Sequence, residues 1–317
     1  MIEIEGVSRR YGDTMAVSGV STRIGRGEIV GLLGHNGAGK TTLMKMLTGY
    51  IEPSEGSLRV GGCDVVADRT GAQRHIGYLP ESAPLYPEML VQDYLLMMAE
   101  LRGVSPDRLI GAVGRAAAAT GLGQRMVTPI GHLSKGYRQR VGIAQAIVHD
   151  PAVLVLDEPT NGLDPEQIQS IRTLIRDLGT RTTVLLSTHI LQEVEAVCQR
   201  VLVLIDGRLV EDAPLDKLLA ARAVRMSVHE ASGGVEARLR QVPGVRDVRR
   251  VGPDASLPGF NTWTINVDDA AQAAPALLRS GVDAGWTLGA VAPEVVTLES
   301  VFRRLQAAAA GAPKEVA

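Results

Sequence analysis

Apolar and polar positions alternate at the start of the chain. Ile2, Ile4 and Val7, and then Val17, Val20 and Ile24, are separated by polar residues, and Gly25-Arg26-Gly27 closes the run. A period near two predicts half-buried strands ended by a turn. Residues 28–33 form a short apolar strand that runs into a glycine-rich loop. Residues 40–47 follow as a helix stopped by Gly49, and residues 57–65 as a strand pair around Gly61-Gly62. From about Pro87 to His149 the pattern is mainly helical. Residues 91–101 are apolar on nearly every side, residues 106–120 are alanine-rich and end at Gly121, and residues 136–148 make a third helix. Strand and helix then alternate: strands at 152–156 and 183–187, helices at 166–178 and 191–199, and strands 201–205 and 208–210 flanking Asp206-Gly207. Asp-Gly between two apolar runs is a two-residue hairpin signal. Interleaved strands and helices predict an α/β fold, with a parallel sheet covered on both faces.

The composition changes after Leu219. Strand 225–228, helix 235–241, strands 245–251 and 261–267, helix 270–280 and strand 285–291 give a βαββαβ order, the split-βαβ pattern. The expected organisation is a large α/β domain over residues 1–220 with a helical subdomain near 87–149, and a small α+β domain over 224–306. Residues 296–305 read as a final helix and the Ala/Gly/Pro stretch 307–317 as a loose tail. Arg246, Arg249 and Arg250 read as a solvated face.

Composition narrows the class. The chain has 317 residues, 45% of them hydrophobic, enough for a core of its own, and a net charge of −2. A near-neutral balance argues against nucleic acid, so no nucleic-acid partner is expected. The two cysteines, Cys63 and Cys198, lie far apart, which fits structural thiols in a reducing, cytoplasmic compartment. No apolar run approaches the roughly 18–20 residues that a bilayer crossing needs. The acidic, alternating start Met1-Ile2-Glu3-Ile4-Glu5 is unlike a signal peptide. A membrane role would therefore require another polypeptide.

The loop Gly34-His35-Asn36-Gly37-Ala38-Gly39-Lys40-Thr41, with Thr42 next, fits G-x-x-x-x-G-K-[ST] between a strand and a helix. Glycines let successive backbone N–H groups turn toward phosphate oxygens, and the helix directs its positive end at the same anion. Lys40 is placed to reach the β- and γ-phosphates and the Thr41 hydroxyl to ligate Mg²⁺. Residues 153–156, an apolar strand, end in Asp157-Glu158. A strand end of this kind reaches the crevice of the phosphate loop. Asp157 is then a Mg²⁺ ligand, directly or through water, and Glu158 the general base that activates the attacking water.

At this point about the first 215 residues resemble the ABC ATPase family. Leu133-Ser134-Lys135-Gly136-Tyr137-Arg138-Gln139-Arg140-Val141 looks like its signature, Gly162-Leu163-Asp164-Pro165 like its D-loop, and His189 like its switch histidine. Tyr11 stands where the family stacks an aromatic ring on adenine. The resemblance implies ATP and Mg²⁺ as cofactors. It also implies a head-to-tail dimer, expected to be a homodimer, in which Ser134, Lys135 and Gly136 of one subunit meet ATP held by the other. A separate membrane permease would be the partner, holding the chain at the cytoplasmic face of the membrane. Two departures stand out. Lys135 and Tyr137 occupy places where the signature usually has Gly and Gln, and Glu81 replaces the usual glutamine as a ligand of Mg²⁺ and water.

The Glu81 loop, the signature and Leu298-Glu299-Ser300-Val301-Phe302 look like ATPases of ABC-2 type exporters, closest to the gliding-motility and multidrug-export branches. Residues 82–94 are expected to carry the permease contact. The rival reading is a soluble ABC ATPase acting on a partner such as the ribosome. The single cassette and the absence of sustained heptads speak against it.

Overall fold

A computed structural model describes residues 1–311. Contacts divide the chain into two compact units, Met1–Leu215 together with the stretch from Phe302, and Asp216–Val301.

In the first unit, β1 (Ile2–Tyr11), β2 (Thr14–Ile24), β3 (Ile29–Leu33), α1 (Lys40–Leu47), β4 (Glu55–Val60), β5 (Cys63–Asp64), α2 (Arg69–Arg74) and β6 (Ile76–Leu79) come first. The helices α3 (Val91–Leu101), α4 (Leu109–Thr120) and α5 (Lys135–Ile147) follow. Next come β7 (Val153–Asp157), α6 (Pro165–Gly179), β8 (Thr183–Thr188), α7 (Leu191–Val197), β9 (Arg200–Ile205) and β10 (Arg208–Pro214). The early strands build an antiparallel sheet in the order β2-β1-β4-β5. The main sheet runs β10-β9-β3-β8-β7-β6, parallel except at its β10 edge. Its central strands are buried at every residue, as continuous apolar runs in a doubly covered sheet must be. The β9–β10 hairpin turns at Asp206 and Gly207, both with positive φ (46° and 78°), the type I′ geometry that matches strand twist.

Helices α3, α4 and α5 keep a core of their own around Tyr94, Leu95, Val113, Ala117 and Val141, with Met97 and Met98 packed against it. Their attachment to the main sheet is close. Gln145 Nε2 donates to the Tyr78 carbonyl oxygen at 2.8 Å, and a Cβ on Gly77 would collide with the Ala146 carbonyl oxygen.

The second unit contains β11 (Ala223–His229), α9 (Val235–Leu239), β12 (Val245–Pro253), β13 (Phe260–Val267), α10 (Ala270–Asp283) and β14 (Leu288–Pro293), after the short α8 (Leu215–Leu219). Its sheet is antiparallel in the order β12-β13-β11-β14, over a core of Val224, Met226, Val228, Ile265 and Leu277. This is the βαββαβ order expected from the sequence. Of the expected arginine face, Arg246 pairs with Asp268 at 2.8 Å and Arg250 donates to Asn261. The last helix, α11 (Leu298–Gly311), corrects one expectation. The alanine run at 307–310, read as loose, continues the helix, because alanine has the highest helix propensity. The rest of the expected tail, 312–317, lies outside the described residues.

Candidate nucleotide site

Between β3 and α1 the phosphate loop curls through positive φ at Gly37 (84°) and Gly39 (101°). Bulk is excluded as well as conformation: a Cβ on Gly34 would sit 2.6 Å from the Leu204 carbonyl oxygen, and one on Gly39 would meet the Ala16 carbonyl oxygen. The loop edges a cavity of about 420 Å³, which His35, Asn36, Gly37, Gly39, Lys40, Thr41 and Thr42 line. Ala38 is buried beneath, with its N–H donated to the His35 carbonyl. Across the cavity stand Glu81, Glu158, Asn161 and His189, and Ala16 of β2 completes the wall.

Three of these side chains are already joined. Glu158 is buried, and its backbone is held at φ 48°, a left-handed conformation that few non-glycine residues adopt. Its Oε1 lies 3.6 Å from Lys40 Nζ, and its Oε2 accepts from His189 Nδ1 at 2.9 Å. Lys40 Nζ also donates to the Gly34 and His35 carbonyls at 2.7 and 3.3 Å, so the ammonium sits inside the loop's curl. Glu81 Oε1 accepts from Asn161 Nδ2 at 3.3 Å.

Asp157 is fully buried. One carboxylate oxygen accepts from the Ser187 hydroxyl, and the other, Oδ2, has no hydrogen-bond partner. A buried, unpartnered carboxylate oxygen calls for a cation. Thr41 and Glu81 line the cradle and Asp157 does not; all three carry the oxygen donors that Mg²⁺ takes. Among the described residues no group of three His, Cys, Asp or Glu gathers as a metal site, at the cradle or away from it. Burial, reinforced by the charge of Asp157, pushes the Tyr78 phenol up, so it stays neutral beside the acid strand.

Sequence reading missed a support beneath this site. Glu193, in the first turn of α7 and 1% exposed, accepts from two buried hydroxyls, Thr160 Oγ1 and Thr188 Oγ1, the latter at 2.7 Å. Thr160 follows Glu158 by two residues and Thr188 precedes His189, so one carboxylate ties together the loops that carry both. Spacing could have suggested Glu193, four residues beyond His189 on a helix, but nothing local names its partners. Asn161 and Ser187, also missed, are neighbours of residues already singled out.

The signature residues lie elsewhere. Ser134 caps α5, its Oγ accepting from the Tyr137 N–H at 3.3 Å. Ser134 and Gly136 line a second cavity of about 290 Å³ with Asp164, Gln167 and Ser170. Gln167 packs so closely on Gly136 that a Cβ there would be 2.6 Å from its Oε1. Lys135 carries its ammonium against Gly162 instead. Tyr11 is 45% exposed at the end of β1, with the Arg9 guanidinium 4.8 Å from its ring centroid; it is not among the residues that line the cradle.

A glycine loop between β3 and α1, faced by acids at the end of a parallel strand, defines a P-loop nucleoside triphosphatase. The family model for the ABC transporter matches residues 17–161. Nod factor export ATP-binding protein I of Burkholderia thailandensis is 37% identical over 242 residues, covering 76% of this chain and 79% of its own. A solved ATP-binding subunit of an ABC transporter superposes with a TM-score of 0.63 at 30% identity, over 69% of this chain and 91% of that one. The fold is also that of the dimeric cassette MJ0796 (TM-score 0.62, 23% identity, 68% and 99% covered). The chain belongs to the ATP-binding subunits of ABC transporters, which hydrolyse ATP to drive transport. No helix among the described residues is long and apolar enough to cross a membrane.

Proposed function

We propose that the chain is the motor subunit of an ABC-2 type exporter, closing as a head-to-tail homodimer on two ATP molecules and working through a separate membrane permease. Domain roles follow the sequence reading: residues 1–220 bind and hydrolyse ATP, with 87–149 as the helical subdomain, and 224–306 form an accessory domain. The observation that carries this reading is the split between two half-sites. The phosphate cradle and the Ser134–Gly136 helix end line different cavities of one chain, so a single subunit does not bring them onto one phosphate. A second copy, facing the first, supplies the missing half. The relatedness to an exporter ATPase and the dimeric state of a cassette of the same fold support it.

Within the composite pocket the Gly34–Thr42 loop holds the phosphates and Lys40 reaches the β- and γ-groups. Thr41, Asp157 and Glu81 would hold Mg²⁺, which on binding supplies charge neutralisation at the phosphate oxygens. Glu158, in a water-poor wall, takes the proton of the attacking water, and His189, already donating to it, fixes its orientation and senses the γ-phosphate. Lys135, beside Gly162, adds positive charge at the partner's phosphate. Tyr11 stacks on adenine. Residues 82–94, with exposed Tyr86 set edge-on to Tyr94, meet the permease, and that contact holds the chain at the cytoplasmic membrane face.

The test is Glu158→Gln with ATP and Mg²⁺. Loss of the base stops turnover while the phosphate contacts stay, so the variant should elute and scatter light as a dimer with ATP retained. A monomer at saturating ATP would defeat the composite-pocket reading.

A further inference from the structure

Four arginines converge on a third cavity of the first unit, at the opposite ends of the strands from the cradle. Arg74 precedes β6, Arg102 follows α3, Arg108 precedes α4 and Arg115 lies within it; together with His149 and Asp150 they line about 240 Å³. Because β3, β8, β7 and β6 are parallel, the cradle lies at their C-terminal ends and this cavity at the N-terminal ends of β6 and β7. Five residues of strand put them ~16 Å apart.

The charges do not balance. Among the lining residues four guanidiniums face one carboxylate, Asp150, an excess of three positive charges; just outside the lining, the Asp107 carboxylate also acts on Arg108. Among the described residues none of the four is in an ion pair. Arg102 is the most telling. It is half-buried, yet its Nη1 reaches only the Gln73 and Ile76 carbonyl oxygens, both at 3.5 Å, the outer limit of a hydrogen bond. Arg108 uses its Nε on Ser105 Oγ, leaving its terminal nitrogens uncommitted. His149 donates Nε2–H to the Ile76 carbonyl at 3.1 Å. Burial and the charge of Arg102 push its pKa down to about 4, so it adds no positive charge at neutral pH. Four like charges gathered round one hollow repel one another, and an anion in the hollow relieves that repulsion.

We propose that this cavity is a phosphate-binding site, separate from the ATP cradle, that takes a phosphomonoester or pyrophosphate group. Guanidinium forks match phosphate oxygens bidentately, and a group carrying two or more negative charges meets the excess of three better than a single carboxylate does. The phosphate can belong to a free small molecule or to a lipid headgroup; the chemistry is shared.

The experiment uses the full chain carrying Lys40→Ala, which disables the cradle, and inorganic pyrophosphate in Mg²⁺-free calorimetry. Saturable binding is expected, weakened about tenfold or more by Arg74→Ala with Arg115→Ala, since each charge-assisted contact contributes at least that much. Both residues are exposed, so the fold should survive; circular dichroism checks this, and intact ATPase activity of the same pair in the unaltered chain confirms it. Flotation with phosphatidylcholine vesicles, with and without phosphatidic acid, forms the second arm. Arginine-dependent binding to the phosphatidic acid vesicles alone assigns a lipid source, and to pyrophosphate a free one. No arginine-dependent binding in either arm overturns the site. Binding of a glutamate-rich peptide with the same arginine dependence, where both phosphate probes fail, overturns the phosphate assignment in favour of a partner's carboxylates.

Discussion

Replacing Glu193 tests whether the catalytic loops are held from below. Its carboxylate accepts from Thr160 and Thr188, hydroxyls of residues only 3% and 0% exposed, and its place in the first turn of α7 puts the charge at the positive end of a helix. In Glu193→Gln one oxygen still accepts, but the amide NH₂ faces the other hydroxyl, whose proton is stranded. Weakening one charge-assisted bond and stranding one buried donor costs about 2–4 kcal/mol. Because Thr160 follows Glu158 and Thr188 precedes His189, the displacement should reach the pair that shares the 2.9 Å contact. A shift of well under 1 Å there lowers kcat by about tenfold to a hundredfold. The phosphate loop is untouched, so KM for ATP should stay within about threefold. Steady-state ATPase kinetics beside urea unfolding measure both effects, and a cycle with Thr160→Val should be strongly non-additive. If Glu193→Gln kept its kcat within about twofold and its stability within about 0.5 kcal/mol, the support would be decorative.

Other outcomes follow from the same geometry. Lys40→Ala removes the ammonium that sits between two loop carbonyls and Glu158, and should abolish ATP binding or hydrolysis; unchanged ATPase activity would refute the cradle. Gly77→Ala drives a Cβ into the Ala146 carbonyl, costing about 3 kcal/mol, or ~6–12 °C in the melting of this unit. A fall below about 2 °C would mean that β6 and α5 separate easily. Burial, with the charge of Arg102, lowers the pKa of His149 from 6.5 to about 4. The unfolded chain therefore takes up that proton first as pH falls. The contribution is complete above about 6.5 and is lost on acidification toward 4, up to about 3 kcal/mol. His149→Gln should lose less stability than the parent over that window in thermal melts at successive pH values, and parallel curves would exclude the effect.

Much of the fold was legible along the chain because local chemistry dictated it. Continuous apolar runs gave the buried parallel strands, and Asp206-Gly207 the hairpin. The expected end of the chain went wrong for a local reason too: proline and glycine beyond residue 310 drew attention away from an alanine run that favours helix.

The sequence by itself determined which residues meet at the cradle, because the phosphate loop, the acid strand and His189 each announce their chemistry in a few consecutive positions. Tertiary structure alone decided what holds them and what lies apart. Glu193 is bound to threonines 5 and 33 residues away, Asp157 to a serine 30 residues away, and four arginines from separate segments share one cavity. Such partners are set by which strands lie side by side and how helices pack on them. A buried charge takes its environment from that packing, and no periodicity along the chain encodes it.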